Sequence, residues 1–261
     1  MPAFENIAII GSGKLATALG YYLIQKRLPL NGIWSRQERH KQALANTLHV
    51  SAVETFDQLK KYDLIIIAIS DQAIEIVAEK ISQVIPNDQP TVVHTSGATG
   101  LDVLSKHLKN TGIFYPLQTF SEGFQPDFSK IPICIESNSK DILQKLEKLG
   151  QEMGNPVYHL DSDKRATLHV GAVLVNNFTN HLFGLATELL EQDNLPPDLL
   201  RPLLEETARK LQTKPATEVQ TGPAVRNDQV TLEKHRKLLA DQPNLLALYD
   251  LLTKSILSKT E

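Results

Sequence analysis

The chain has 261 residues, of which 41% are hydrophobic and 22% are charged. This composition is typical of a folded protein, and the length suits one domain of about 150 residues with a smaller second domain. The formal net charge of −3 argues against a nucleic-acid binder, which usually carries a basic stripe. We find no pattern of a secretory signal, and the longest apolar stretch, residues 64–69, is far too short to span a bilayer. The sequence therefore predicts a soluble protein without nucleic-acid or membrane partners.

The cysteine content points to the compartment. The only cysteine, Cys134, cannot form an internal disulfide, which fits the reducing cytoplasm. It lies in the apolar run 131–135, so we interpret it as a small core residue rather than a nucleophile.

The first 160 residues alternate short β-rich runs with helical stretches, which predicts an α/β fold with a parallel sheet, as in a Rossmann domain. The run at 63–69 is almost wholly apolar and suits a strand covered by helices on both faces. The predicted strands are residues 7–10, 30–34, 49–53, 63–69, 91–94, 112–115, 131–135 and 156–159.

After residue 160 the pattern becomes helical. Asp161 or Ser162 could cap a long helix that continues without a proline to about residue 191. Further helices are predicted at residues 198–211, 231–239 and 244–258. We therefore predict two domains, a Rossmann domain at residues 1–160 and an all-helical domain at residues 161–261.

The N-terminal strand runs into a glycine turn and then a helix. Gly11 permits a sharp turn, Gly13 lets the backbone approach a pyrophosphate, and Ala16 allows close packing of helix and strand. G-x-G-x-x-A is a weak motif by itself, but here it stands in the context that it requires. The motif predicts a dinucleotide site that includes Gly11, Ser12, Gly13, Lys14, Leu15 and Ala16. The alternative is a glycine turn without a ligand.

The end of the second strand indicates which dinucleotide is bound. NAD-binding folds usually carry an acidic residue there, whereas this chain has Trp34, Ser35 and Arg36. A hydroxyl beside a guanidinium suits a 2′-phosphate, because arginine can hold a phosphate through two parallel hydrogen bonds. The sequence thus favours NADP over NAD, unless Arg36 is only a solvated residue at a helix start.

Two further strand ends should face the same crevice, since ligands gather at the carboxyl ends of parallel strands. We predict cofactor contacts for Ser70, Asp71 and Ser96, and substrate contacts for His94 and Gly97. For Asp71, capping of the next helix is the favoured alternative.

A polar stripe follows the long helix. With a step of about 100° per residue, its members lie within about 40° of His169; they are Arg165, His169, Asn176 and Asn180. Histidine can act as an acid or base near neutral pH, so we predict catalytic roles for His169 and Asn176 and a substrate contact for Asn180. The alternative is a buried polar seam, satisfied across helices or at a dimer interface.

The segment 221–228 combines turn residues, a cation and a helix cap. It could close over an active site and offer Arg226 to an anionic substrate, or it could be a connection in which Asp228 caps the next helix. The spacing of His169, His181 and His235 matches no zinc signature, so we predict no metal.

Taken together, the chain resembles the two-domain NADP-dependent reductases, which include ketopantoate reductase, pyrroline-5-carboxylate reductase and the β-hydroxyacid dehydrogenases. More closely, it resembles a bacterial family with a Rossmann-like domain and a helical domain of unknown function, whose members are mostly labelled oxidoreductases. The resemblance covers essentially the whole chain. It rests on Gly11-Ser-Gly13, His94-Thr-Ser-Gly97, Tyr115-Pro-Leu-Gln-Thr-Phe120, the stretch from Leu168-His169 to Asn177, and Thr221-Gly-Pro to Asp228.

The resemblance implies an oxidoreductase that moves hydride between nicotinamide and a small carbonyl, imine or alcohol. Many β-hydroxyacid dehydrogenases carry a proton-donating lysine before an asparagine on the first long helix, but here Val173 takes its place, and His169 is our substitute. The main alternative is a non-catalytic NADP(H)-binding sensor or regulator, and a third is a scaffold with a vestigial glycine loop. Apolar helices in the second domain suggest a homodimer.

Overall fold

The structure is a computed structural model that describes residues 2–85, 90–124 and 126–259. The chain falls into two compact units, Met1–Asn177 and Phe178–Glu261. The predicted boundary near residue 160 stays a prediction, although the first helix after it belongs to the first of these units.

The first unit is built on one eight-stranded sheet with the order β3-β2-β1-β4-β5-β6-β7-β8. The described strands are β1 Ile7–Ile10, β2 Leu30–Trp34, β3 Ser51–Ala52, β4 Leu64–Ile67, β5 Thr91–His94, β6 Thr111–Pro116, β7 Ile133–Ser137 and β8 Val157–His159. Every predicted strand is present, and the differences are confined to strand ends.

Helices cover both faces of the sheet, which explains the continuous apolar strands. One face packs against α1 (Lys14–Gln25), α2 (Glu38–Leu48) and α5 (Lys140–Met153). The other packs against α3 (Asp71–Val84) and the short α4 (Asp102–Ser105). Because side chains of a strand alternate, Ile7 and Ile9 enter the first core while Ala8 and Ile10 enter the second.

The sheet is not wholly parallel as the sequence predicted, since β6 and β7 pair antiparallel. A parallel return needs a crossover, usually a helix. In the described part of this connection, residues 117–124 and 126–132, the helical structure is a single 3₁₀ turn at Phe128–Lys130. Cys134 on β7 is buried, as predicted for a core residue.

The predicted long helix is interrupted by wider turns. It consists of α6 (Ser162–Ala172), a π-helical segment (Val173–Phe178) and α7 (Thr179–Gln192), and the Asp161 carboxylate caps it by accepting a hydrogen bond from the Lys164 amide. A π turn holds about one residue more than an α turn. The uniform step of 100° used for the polar stripe is therefore wrong beyond Val173.

The remaining described elements are helical. A 3₁₀ turn at Pro197–Leu200 leads into α8 (Arg201–Leu211), and α9 (Ala216–Val219), α10 (Gln229–Leu238) and α11 (Pro243–Leu257) follow. In the described part of the chain, no helix combines the length and the apolar character needed to cross a bilayer.

Candidate functional site

The carboxyl ends of the central strands are joined by backbone hydrogen bonds. The amide of Gly11 donates to the Trp34 carbonyl at 2.8 Å, and the Ala68 amide donates to the Ile10 carbonyl at 2.8 Å. The chain moves outward from β1 to β2 and β3, then returns to the other side of β1 with β4. This reversal between β1 and β4 is where open α/β sheets bind ligands, so these strand ends form the candidate site.

The glycine turn is shaped for an anion. Gly11 has a φ of +136°, and a Cβ there would lie 2.1 Å from the Ala68 carbonyl oxygen, so only glycine fits. Gly13 occupies the N-cap of α1 without a side chain to cap it, and a Cβ there would meet nothing within 4 Å. Space is therefore open beside Gly13 at the N-terminus of α1, and a helix N-terminus has unpaired backbone N–H groups that can bind a dinucleotide pyrophosphate.

A cleft of about 830 Å³ opens at this turn. Its lining includes eight of the residues predicted to hold the cofactor, namely Gly11, Ser12, Gly13, Lys14, Leu15, Ser35, Arg36 and Ser70. The Ser12 and Ser35 hydroxyls are 2.8 Å apart, which connects the phosphate loop to the end of β2. Ala16 is buried in the core, where it allows α1 to pack closely on β1, as predicted. These residues fit a dinucleotide.

Further charged residues that we did not predict line the same cleft. They are Glu38, Lys41, Glu54 and Lys80. Lys41 is 2% exposed and shares the buried face of α2 with Leu44, Ala45 and Leu48. A lysine within the apolar periodicity of an amphipathic helix was the signal that could have pointed to it.

The start of α3 differs from its predicted form. Ser70 occupies the N-cap position and lies on the cleft, whereas Asp71 is the first residue of the helix and is not part of the cleft lining. The favoured alternative, in which Asp71 caps this helix, is therefore wrong, because the helix begins one residue earlier than a cap at Asp71 requires. The cofactor contact of Asp71 stays a prediction.

The loop after β5 is held by its own side chains. The Ser96 hydroxyl accepts hydrogen bonds from the Ala98 and Thr99 amides at 3.2 and 2.9 Å. His94 is fully buried, with Nδ1 accepting from the Ser96 amide at 3.2 Å and Nε2 lying 3.3 Å from the Gly100 carbonyl. Both side chains thus shape the loop, and a ligand contact by the His94 ring would require the loop to open.

Burial has a clear electrostatic effect on His94. It lowers the pKa of this imidazole to about 4, outweighing the opposing effect of the hydrogen bond to the Gly100 carbonyl. The ring is therefore neutral at physiological pH. Since Nδ1 accepts a hydrogen bond, the proton lies on Nε2 and is donated to the carbonyl.

His169 meets two residues of the sheet edge. Its Nδ1 lies 3.2 Å from the hydroxyl of Tyr115 on β6, with the two rings edge to face. A Cβ on Gly97 would lie 2.5 Å from that nitrogen and 2.8 Å from the Tyr115 ring, so the contact requires glycine. The sequence predicted His169 and Gly97 as site residues but gave Tyr115 no role, because nothing local connects positions 54 residues apart.

Tyr115 is 8% exposed, and burial raises the pKa of its phenol. The phenol is thus protonated at neutral pH and can donate to His169 Nδ1. This arrangement places the proton of a neutral imidazole on Nε2. A phenol and an imidazole coupled in this way can hold and pass a proton.

Arg165 anchors the helix that carries His169. Its guanidinium is 1% exposed and donates to the Glu136 carboxylate on β7, to the Thr99 carbonyl and to the Ser162 hydroxyl. The stripe correctly placed it one turn before His169 on the same helix face. Its role, however, is an internal ion pair that joins α6 to β7 and to the loop after β5.

Other predicted residues lie outside these contacts. Asn176 and Asn180 are both exposed rather than buried, and Arg226 is exposed as well. Asp228 caps α10 by accepting from the Thr231 amide at 3.1 Å, as the alternative for that segment predicted. Among the residues described, no three or more His, Cys, Asp or Glu side chains are grouped to hold a metal ion.

The fold and the glycine turn define a Rossmann-like protein. Residues 1–119 match the model of a Rossmann-like domain, and residues 131–256 match a domain of unknown function, DUF2520. A Bacteroides fragilis protein, provisionally named an NADP oxidoreductase, is 35% identical, with 98% of this chain and 99% of that chain covered and a TM-score of 0.89. The chain therefore belongs to the family that combines a Rossmann-like domain with DUF2520, which confirms the resemblance found in the sequence.

More distant structures share the fold. An imine reductase from Myxococcus stipitatus, solved with NADP⁺, has a TM-score of 0.69 at 14% identity, with 96% of this chain and 92% of that chain covered. A 1-pyrroline-5-carboxylate reductase from Streptococcus pyogenes has a TM-score of 0.65 at 14% identity, with 97% and 98% covered. No functionally curated protein matches the sequence.

The buried neutral His94 predicts a pH-dependent stability. In the unfolded chain histidine takes up a proton near pH 6.5, whereas folded His94 does so only near pH 4. The contribution is therefore fully present above the unfolded value and is lost as the pH falls through this window. We expect His94 to remove about 2 kcal/mol from the free energy of unfolding on going from about pH 7.5 to about pH 5.

Urea unfolding of the wild type and of His94→Gln across this range measures the effect. The variant should show a flatter dependence on pH, whatever its absolute stability, while His40→Gln, at an exposed histidine, should keep the wild-type slope. Parallel profiles for the wild type and His94→Gln would contradict the assignment.

Proposed function

We propose that this protein is a cytoplasmic NADP(H)-dependent oxidoreductase that moves hydride between nicotinamide and a small carbonyl, imine or alcohol. The observation that carries the proposal is the open glycine turn at the head of α1, which shares its cleft with Ser35 and Arg36. The relatives named above as NADP oxidoreductase, imine reductase and pyrroline-5-carboxylate reductase support this class of reaction.

Different residues of the cleft would bind different groups of the cofactor. Gly11 would shape the turn, the backbone N–H groups that follow it at the start of α1 would hold the pyrophosphate, and Lys14 would add a charge at the same place. Ser35 and Arg36 would hold the 2′-phosphate by hydroxyl and guanidinium hydrogen bonds. Ser70, Asp71 and Ser96 follow neighbouring strand ends and remain our candidates for contacts further along the dinucleotide.

Tyr115 and His169 are the candidates for handling the proton. When bound, NADPH supplies the hydride, so the protein must provide a proton and the position of the substrate. The Tyr115 hydroxyl contacts Nδ1 and so orients the imidazole with Nε2 free to act, and Gly97 allows both rings to meet. We assign His169 the role of general acid in its protonated form: Nε2 gives its proton to the substrate, and the neutral ring that remains donates from Nδ1 to the Tyr115 oxygen.

Further residues are proposed to contact the substrate or to mediate self-association. We assign the cofactor to residues 1–160 and substrate contacts and self-association to residues 161–261. Asn176, Asn180 and Arg226 are exposed and could contact a substrate, with Arg226 suited to an anionic group. His94 and Gly97 would act by shaping the loop beside the substrate.

One observation favours the rival proposal of a non-catalytic NADP(H)-binding regulator. Val173 stands where many β-hydroxyacid dehydrogenases carry their proton-donating lysine, and valine cannot transfer a proton. The Tyr115–His169 contact favours the enzyme instead, since a regulator has no need of a coupled phenol and imidazole.

The first test is a titration of the purified protein with NADPH and NADH in parallel, followed by nicotinamide fluorescence. We expect selective binding of NADPH. Replacing Arg36 with Asp should weaken NADPH binding by about tenfold to a hundredfold, since a charge-assisted hydrogen bond is lost and a like charge is introduced. Equal effects on both nucleotides would remove Arg36 from the 2′-phosphate site, and binding of neither by the wild type would overturn the proposal.

The second test uses turnover, measured as NADPH oxidation with a panel of small oxo acids and cyclic imines. On any substrate found, His169→Ala should lower kcat by about 10²–10⁴-fold while cofactor affinity stays within about twofold. Tyr115→Phe keeps the ring and should lower kcat less. His159→Ala, at an exposed histidine on β8, is the matched control. A fully active His169→Ala enzyme would exclude the acid role.

Self-association through the helical region is supported by its exposed apolar side chains. Neither α7 nor α8 has a buried residue, although both carry leucines. Exposed leucines of these helices include Leu182, Leu203, Leu204 and Leu211. Large exposed apolar areas on a folded protein mark interaction surfaces. We therefore propose a homodimer formed through residues 161–261.

Sedimentation velocity tests the dimer. The wild type should sediment as a dimer of the 29.0 kDa chain, and Leu203→Glu combined with Leu211→Glu should shift it to a monomer with unchanged circular dichroism. Tyr158→Glu, which adds a charge at an exposed position of the first unit, should leave the dimer intact. A monomeric wild type would overturn the proposal.

A further inference from the structure

One charged cluster in the cleft is not used by the cofactor contacts proposed above. It consists of Glu38, Lys41 and Glu54, which we term the Lys41 cluster. The Lys41 side chain is 3% exposed, and its ammonium donates to the Glu54 carboxylate and, at 2.8 Å, to that of Glu38. Two carboxylates therefore share one buried cation.

The two carboxylates are not equivalent. Glu54 is fixed at its backbone as well, because its amide donates to the Gln58 side chain at 2.9 Å. Glu38 lies in the first turn of α2 with its side chain 67% exposed. The amide of Gln42 reaches both carboxylates, at 3.0 and 3.1 Å. Lys41 would thus keep one partner, Glu54, if Glu38 turned away.

Glu38 also lies beside the proposed phosphate subsite. It follows Arg36 by two residues, and both line the same cleft. The hydrogen bond from Lys41 lowers the pKa of Glu38, so its carboxylate is charged at neutral pH. A 2′-phosphate held by Arg36 would share the cleft with this negative charge, and like charges repel unless one of them moves.

We propose that Glu38 determines how strongly the cleft prefers NADPH over NADH, by occupying Lys41 until the 2′-phosphate replaces it. The phosphate then bonds to Lys41 and Arg36 together, while Glu54 keeps the Lys41 ammonium in place. An ammonium donates equally well to a carboxylate or a phosphate oxygen, so the exchange leaves no buried charge unpaired. This inference rests on the proposed function, since it specifies the cofactor subsite of that cleft.

The test compares the wild type with Glu38→Gln by calorimetric titration of the full-length protein with NADPH and NADH. The amide keeps the size of the side chain but neither repels the phosphate nor pairs strongly with Lys41. We expect NADPH to bind about threefold to tenfold more tightly and NADH to change by less than about twofold. Glu79→Gln removes the same charge from an exposed position outside the cleft and should change neither.

A second pair of variants probes the cation. Lys41→Met should weaken NADPH binding by about tenfold to a hundredfold and NADH binding far less, whereas Lys41→Arg should retain most of the preference. If Lys41→Met fails to fold, the nucleotide preferences of Lys41→Arg and Glu38→Gln still test the proposal. Competition by 2′,5′-ADP and 5′-AMP isolates the phosphate from the nicotinamide, and only the former should bind Glu38→Gln more tightly.

The outcomes separate this inference from the proposed function. A wild type that binds NADPH, with a Glu38→Gln variant that binds it no better, would overturn the inference and leave the proposed function intact. A Glu38→Gln variant that binds NADH more weakly and NADPH no more tightly would show that Glu38 accepts a hydrogen bond from a ribose hydroxyl. That result would also overturn the inference. A wild type that binds neither nucleotide would overturn both.

Discussion

The candidate catalytic contact depends on the buried guanidinium of Arg165. Removing a cation from water is costly unless a countercharge and hydrogen bonds replace the lost hydration. Arg165 finds these on Glu136, Thr99 and Ser162, which belong to β7, the loop after β5 and α6. Loss of any one of these three partners would leave the buried guanidinium with fewer hydrogen bonds, at a cost in free energy. His169, one turn later on α6, is thereby held against Tyr115.

The two loops at the sheet edge differ in how their backbone amide groups are hydrogen-bonded. In the loop after β5, the side chains of His94 and Ser96 accept hydrogen bonds from amide groups of the same loop. These internal bonds hold the loop in place beside the rings of Tyr115 and His169. The glycine turn after β1 does the reverse, since Gly11 and Gly13 bring no side chain to cap α1. Polar backbone groups that the protein leaves available at a strand end favour a ligand that can complete them. The same edge thus combines a loop held by its own side chains with a glycine turn that is open to an anion.

Local chemistry explains what could be predicted from the sequence. The glycine turn, with Arg36 at the end of the next strand, needs only a strand, a turn and a helix start close together in the chain. The parallel pairing of β1 to β6 follows from the alternation of strands and helices. The contact of Tyr115 with His169 and the ion pair of Arg165 with Glu136 join distant positions and depend on packing that periodicity does not encode. The antiparallel β6–β7 pair was not predicted, because we assumed a helical crossover between successive strands. The π-helical segment was not predicted either, because a step of 100° per residue assumes regular α-helical turns.

The π-helical segment bears on how a chain with Val173 could catalyse proton transfer. It begins at Val173, where the resemblance would place a lysine, and π turns often occur at functional sites. A proton donor carried only by the helix would move with any local change in its winding. In the proposed arrangement the donor is His169, which precedes the widened turns and is held by a phenol from the sheet. The contact with Tyr115 thus ties the position of the His169 ring to β6 in the core of the first unit. The winding of residues 173–178 could then vary without displacing the ring that donates the proton.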